Sequence, residues 1–222
     1  MREGASRKKA KGVRKTAIEL NNVSFSYGER QVLDGFSLCI GEGDRVCLTG
    51  ASGCGKTTVL RLVLGLIKPS VGTVKAPKRI SAVLQEDRLF KTGDVLRQIS
   101  VTGTYDGARE LLGKAGMSDI AHMHIDELSG GMRRRVALLR ALNFDADAIV
   151  LDEPFNGIDE KNRETAARLI LEKFGDKPIL LISHIADDAK LLEAVSVDME
   201  QIQTHSEQVR DQFSEKKSGV NS

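Results

Sequence analysis

Gly50-Ala51-Ser52-Gly53-Cys54-Gly55-Lys56-Thr57 satisfies G-x-x-x-x-G-K-[ST] at every fixed position. A short apolar run, Arg45 to Thr49, reads as the strand before it, and Thr57 to Leu66 has helical character after it. Strand, glycine-rich turn and helix form the context in which this pattern binds phosphate. Each residue type has a physical reason. Gly50, Gly53 and Gly55 let the backbone N–H groups turn toward phosphate oxygens, with Ser52 between them. A helix starting at Lys56 aims its positive end at the same anion. Lys56 adds a mobile charge for β- and γ-phosphates, Thr57 a hydroxyl for Mg²⁺, and Thr58 reaches toward the α-phosphate. Cys54 reads as a small side chain that fits the loop.

A second stretch, Ala148-Ile149-Val150-Leu151-Asp152-Glu153-Pro154, is an apolar strand ending in two carboxylates. Ligands of open parallel sheets bind at the carboxyl ends of strands. That puts Asp152 where it can hold Mg²⁺ and Glu153 where it can polarise an attacking water. The two motifs together establish a P-loop NTPase without saying which. Continuous apolar runs at Ala148–Leu151 and Ile179–Ile182, with a helical stretch from Glu160 to Phe174 between them, predict an α/β fold with strands buried on both faces. Ahead of the phosphate loop, Ala17–Phe25 and Gln31–Ile40 read as β-strands flanking a turn. Residues 86–127 read as a small helical lobe, and a helix is expected from Met132 to Leu142.

Composition narrows the class from outside. The 222 residues are 41% apolar and 29% charged, with three cysteines, which excludes general disorder and a disulfide scaffold. No run approaches the roughly 18 apolar residues that span a bilayer. No apolar segment follows the basic N-terminus, so a secretory leader is not expected. The first 16 residues carry seven Lys or Arg against one acid, Glu3, and read as a solvated, disordered arm. His122 and His124 have no further ligands nearby in sequence and are not read as a metal site.

Leu128-Ser129-Gly130-Gly131-Met132 precedes a helix that opens with Arg133-Arg134-Arg135. Ser129 is a natural N-cap, and two glycines at a helix start expose amides to an anion. One nucleotide per chain does not need two such starts, so this one reads as serving the nucleotide of another copy.

At this point the sequence resembles the ATP-binding subunits of ABC transporters, over roughly residues 18 to 200. Leu128–Met132 resembles the signature motif, Gly50–Thr58 the Walker A, and Asp152 with Glu153 the Walker B aspartate and catalytic glutamate. The resemblance also implies roles that the residues alone do not give. Gln85 matches the Q-loop glutamine, a Mg²⁺ and water contact. Asp159 matches the D-loop aspartate, His184 the switch histidine, and Tyr27 the aromatic that stacks on adenine. The implied architecture is a P-loop NTPase core with a parallel sheet, an N-terminal antiparallel β subdomain and a small inserted helical subdomain. Its domain would run from 17 to 203, with the helical insertion at about 86–131 and a C-terminal helix and tail at 204–222.

The resemblance implies ATP and Mg²⁺ as ligands, and a head-to-tail homodimer with each ATP held between the Walker A of one copy and the signature of the other. Gln85-Glu86-Asp87-Arg88-Leu89-Phe90 is most similar to importer ATPases of the nitrate, sulfonate and taurine group. Leu89 and Phe90 would receive an integral membrane permease subunit, on the cytoplasmic face of the cell membrane, with an extracytoplasmic solute-binding protein as a further partner. Two alternatives stay open. One is an exporter or lipid-extraction ATPase. The other is a soluble ATPase acting on nucleic acid, supported by the basic arm and Arg133–Arg135 and disfavoured by the single cassette. Gly157-Ile158 departs from the family's usual small residue and leucine, and no tryptophan follows the Q-loop.

Overall fold

The computed structural model describes residues 16–199. The basic arm up to residue 15 and the expected C-terminal helix and tail lie outside the described residues. Eight strands and six α-helices follow in the order β1 (Thr16–Tyr27), β2 (Arg30–Gly41), β3 (Arg45–Thr49), α1 (Lys56–Val63), β4 (Val71–Lys75), β5 (Ile80–Val83), α2 (Val95–Ser100), α3 (Tyr105–Lys114), α4 (Gly130–Asn143), β6 (Ala148–Asp152), α5 (Glu160–Phe174), β7 (Ile179–Ile182), α6 (Ala186–Leu191) and β8 (Val195–Asp198). Two short 3₁₀ turns, Ser118–Ile120 and Ile125–Glu127, separate α3 from α4.

The parallel sheet has the order β5-β6-β7-β3-β8, and β1 is the centre of a separate antiparallel sheet, β2-β1-β4. Alternation along the parallel strands divides the core between two faces. Ile149 and Leu151 of β6, Cys47 of β3, and Ile179 and Leu181 of β7 pack with α4, α5 and the 95–128 helical segment. Ala148, Val150, Val46, Leu48, Leu180 and Ile182 point the other way, toward α1 and the antiparallel sheet. The continuous apolar runs are therefore strands coated on both sides, as their sequence predicts. All five residues of β6 are buried.

Local chemistry sets the helix ends. Asp94, Thr104, Ser129 and Asp159 each accept a backbone N–H three residues on, capping α2, α3, α4 and α5. The cap at Ser129 starts α4 at Gly130, earlier than the apolar spacing from Met132 indicates. Helix α1 stops at Val63, short of the expected Leu66, because Gly65 turns left-handed at φ 67°. Strand β8 and helix α6 were not expected. Val195–Asp198 is short, carries a serine and, among the described residues, lies at the sheet edge, paired with β3.

One glycine carries the junction between β1 and β4. Gly72 has φ +86°, and a Cβ there would lie 2.2 Å from Asn22 O and 2.5 Å from Asn21 O, where the pairing register shifts. Gly28 also has positive φ (+58°) but nothing within 4 Å of its Cβ position. Gly72→Ala should lower the unfolding free energy by about 2–3 kcal/mol and Gly28→Ala by about 1 kcal/mol, read from urea titrations. Equal losses would show that backbone crowding at Gly72 is not felt.

Candidate nucleotide site

Four adjacent parallel strands deliver the chemistry to one edge of the sheet. β5 leads into Gln85, β6 ends in Asp152 and Glu153, β7 leads into Ser183 and His184, and β3 runs into the phosphate loop. The strand register aligns these exits: Leu151 is level with Leu181, and Leu48 with Ile182. A cavity of about 770 Å³ opens there, large enough for a nucleotide. It is lined by Ser52, Gly53, Gly55, Lys56, Thr57, Thr58, Gln85, Asp152, Glu153 and His184, with Tyr27 from the end of β1.

The phosphate loop is built as the sequence predicts, with α1 beginning at Lys56 behind a left-handed Gly55. A Cβ on Gly55 would lie 2.8 Å from Leu33 Cδ2, so the loop needs glycine to pack against β2. Lys56 Nζ donates to Gly50 O at 2.7 Å and Ala51 O at 2.8 Å. Gly50 and Cys54, expected among the cradle residues, do not line the cavity. The Gly50 carbonyl turns in to Lys56, and the Cys54 N–H closes the loop's own turn by donating to Ala51 O.

At the acidic end, Asp152 is 5% exposed. Burial raises its pKa, opposed by the charges of Arg134, Arg61, Lys56 and His184. Glu153 has φ +50°, a strained backbone that turns its side chain away from the strand direction. Its Oε1 accepts the His184 backbone N–H at 3.2 Å and lies 3.7 Å from His184 Nε2. Burial raises the Glu153 pKa too, with His184 pulling the other way. The turn that presents His184 is fixed from behind. Ser183 Oγ donates to the buried Asp188 at 2.6 Å and accepts from Ile185 N at 3.0 Å, while Arg163 of α5 pairs with Asp188.

Tyr27 stands 44% exposed at the cavity rim, edge-on to Phe25, its hydroxyl accepting from Arg61 at 3.0 Å. Thr57, Asp152 and Gln85, which line one cavity, carry a hydroxyl, a carboxylate and an amide, all sources of hard oxygen donors. That donor set fits Mg²⁺.

Ser129, Gly130, Gly131 and Asp159 lie outside this cavity. Ser129 Oγ caps α4 and Asp159 caps α5. A Cβ on Gly131 would lie 2.6 Å from Gly157 O, so the start of α4 abuts the loop after β6. Arg133–Arg135, offered from sequence as support for a nucleic-acid-binding alternative, are engaged within the fold instead. Arg133 donates to Leu128 O at 2.7 Å, Arg135 to Ala115 O, and Arg134 is buried. Leu89 packs against the core and Phe90 is exposed, its backbone held by the buried Gln98 amide.

Sequence reading missed Arg30, Val32, Asn156 and Ile185, which also line the cavity. Only their position after a recognised motif residue could have flagged them.

A family model described as ABC transporter matches residues 33–156, more than half of the chain. The chain belongs to the ABC transporter family. The aliphatic sulfonates import ATP-binding protein of Paraburkholderia xenovorans is 37% identical over 182 residues, covering 79% of this chain and 74% of the relative. The Nod factor export ATP-binding protein I of the same organism is 36% identical over 202 residues, covering 79% and 65%. Among solved structures, a dimeric post-hydrolysis state of the ATP-binding cassette MJ0796 bound to ADP and Pi superposes with a TM-score of 0.71 at 26% identity, covering 82% of this chain and 94% of that one. The protein is thus an ATP-binding, ATP-hydrolysing subunit of the family, with the family's α/β fold.

The raised carboxylates set a pH expectation for this ATPase. With Glu153 as the proton acceptor expected from sequence, protonation would block it, so activity should fall as pH drops through its raised pKa. The acid limb of kcat/KM, shared by the Asp152–Glu153 pair, should lie above the ordinary glutamate value of 4.5. A pH–rate profile flat down to 4.5 would contradict the burial of this pair.

Proposed function

We propose that the chain powers import through a separate membrane permease, two copies closing head to tail on two ATP molecules at the cytoplasmic face of the membrane. The observation that carries this reading is the division of parts. The phosphate loop, Asp152, Glu153 and His184 converge on one cavity, while the glycine-bearing start of α4 lies outside it. A second copy completes the site by setting its own Ser129 hydroxyl and Gly130–Gly131 amides against the γ-phosphate. Asp159 belongs to the same outward-facing edge.

In this reading Tyr27 stacks on adenine, and the phosphate-loop amides with Lys56 hold the β- and γ-phosphates. Thr57, Asp152 and Gln85 would hold Mg²⁺, which would supply neutralisation of phosphate charge when bound. Glu153 takes a proton from water as the water oxygen bonds to the γ-phosphorus. The bond from that phosphorus to the bridging oxygen breaks, and ADP leaves with the electron pair. His184 orients the γ-phosphate side of the site. Loss of the γ-phosphate removes what joins the copies, and the dimer opens. Phe90, exposed on a loop clamped by Gln98, offers the permease a fixed apolar contact.

The sulfonate-import relative supports import. The Nod factor relative favours export as the second reading. An extracytoplasmic solute-binding protein belongs with import alone.

Glu153→Gln should retain ATP binding, hydrolyse at a small fraction of the wild-type rate, and run as a dimer in light scattering with MgATP; a monomer under those conditions would count against the sandwich. Affinity capture from detergent-solubilised native membranes should recover a polytopic membrane protein, with a solute-binding protein if the direction is import. Recovery only with ribosomes or DNA would overturn the transport reading.

A further inference from the structure

Arg134 lies in the first turns of α4 and is 5% exposed. Its guanidinium is committed to five backbone carbonyls and one carboxylate, Asp87. Nε donates to Pro154 O at 3.2 Å. One terminal nitrogen donates to Asp152 O and Glu153 O, each at 2.7 Å. The other donates to Leu84 O and, at 3.4 Å, to Gln85 O, and lies 3.1 Å from Asp87 Oδ1. One planar fork therefore grips the exits of β5 and β6 together. These exits carry Gln85, Asp152 and Glu153 into the cavity. No other side chain type has the donors for this: lysine offers three and glutamine two. Arg140, further along α4, adds donors to Asp87 O and Arg88 O, both at 2.9 Å. The helix that begins with the glycine start thus holds both strand exits.

We propose that Arg134 is a positioning residue for ATP hydrolysis, fixing Glu153 and Gln85 relative to each other and to the helix start at Ser129–Gly131. The proposal rests on Glu153 being the general base. Its consequence is directional: a displacement of α4 reaches the base through three carbonyl contacts, at Asp152, Glu153 and Pro154, and reaches Gln85 through two more, rather than through the phosphate loop. Nucleotide affinity and turnover should therefore respond differently when Arg134 changes.

The test uses the full-length chain with Arg134→Gln and Arg134→Lys, each alone and combined with Glu153→Gln, measuring melting temperature, kcat and KM for MgATP. Arg134→Gln should lower kcat by about tenfold or more while KM changes by less than about threefold, and Arg134→Lys should recover part of the loss. Combined with Glu153→Gln, Arg134→Gln should lower the residual turnover by less than about twofold, because the group it positions is already absent. A kcat within about twofold of wild type, or losses that multiply in the double variant, overturns the proposal. Wild-type turnover by Glu153→Gln alone overturns the base assignment instead, a result distinct from either. Should neither Arg134 variant fold, hydrogen exchange on the wild-type chain decides. Segments 84–88 and 152–156 should change protection together on adding MgATP, and a change in one without the other defeats the proposal.

Discussion

Parallel hydrogen-bond register between β5, β6, β7 and β3 is the constraint on which the site depends. Once Ser81 is level with Ile149, Ile149 with Ile179, and Ile179 with Arg45, the four strand exits must fall side by side. No loop has to search for its partners. Gln85, Asp152, Glu153, His184 and the phosphate loop are brought together by backbone pairing deep in an apolar core, and the loops add only the last few ångströms. The division of the sheet residues between two packed faces is what protects that register. A slip of one residue would turn Ile149 and Leu151 toward the wrong layer.

The strain at the site is stored locally against this rigid base. Glu153 adopts a left-handed backbone immediately after a fully buried strand. Several contacts hold it there: its N–H donates to Ile182 O, its carbonyl accepts from Arg134 and Asn156 N, and its carboxylate accepts from His184 N. The carboxylate is drawn out of solvent enough to raise its pKa yet stays beside an imidazole that favours its charged form. Burial and the neighbouring imidazole thus act on this carboxylate in opposite directions, burial being the larger effect.

Much of this was legible in the sequence, for reasons that differ by element. The phosphate loop and the acidic strand end are continuous motifs, and the boundaries of β3, α5 and β7 follow from short apolar runs and periodicity. Gln85, His184 and Tyr27 were reachable only by resemblance, since a lone glutamine, histidine or tyrosine carries no chemistry in its spacing. The arginine triplet shows where sequence reading breaks down. Three adjacent basic residues look like a solvated patch, but a helix distributes them over three directions, and here each finds backbone acceptors within the fold. Nothing local distinguishes a buried arginine from an exposed one. Asp188 was hidden for the same reason, its partners Ser183 and Arg163 lying in a loop and on a different helix.

The close approach of Gly131 to the Gly157 carbonyl bears on how degenerate copies of such a chain are recognised. Glycine at 131 is required by packing before any ligand is considered, so a relative that had lost catalysis would still keep it. Ser129 is different: threonine, asparagine or aspartate could cap α4 equally well. A serine-to-aspartate change there would leave the fold intact while placing a negative charge where an anion is expected. On the proposed head-to-tail arrangement, residue 129 rather than the glycines that make the motif conspicuous would separate a working half-site from a silent one.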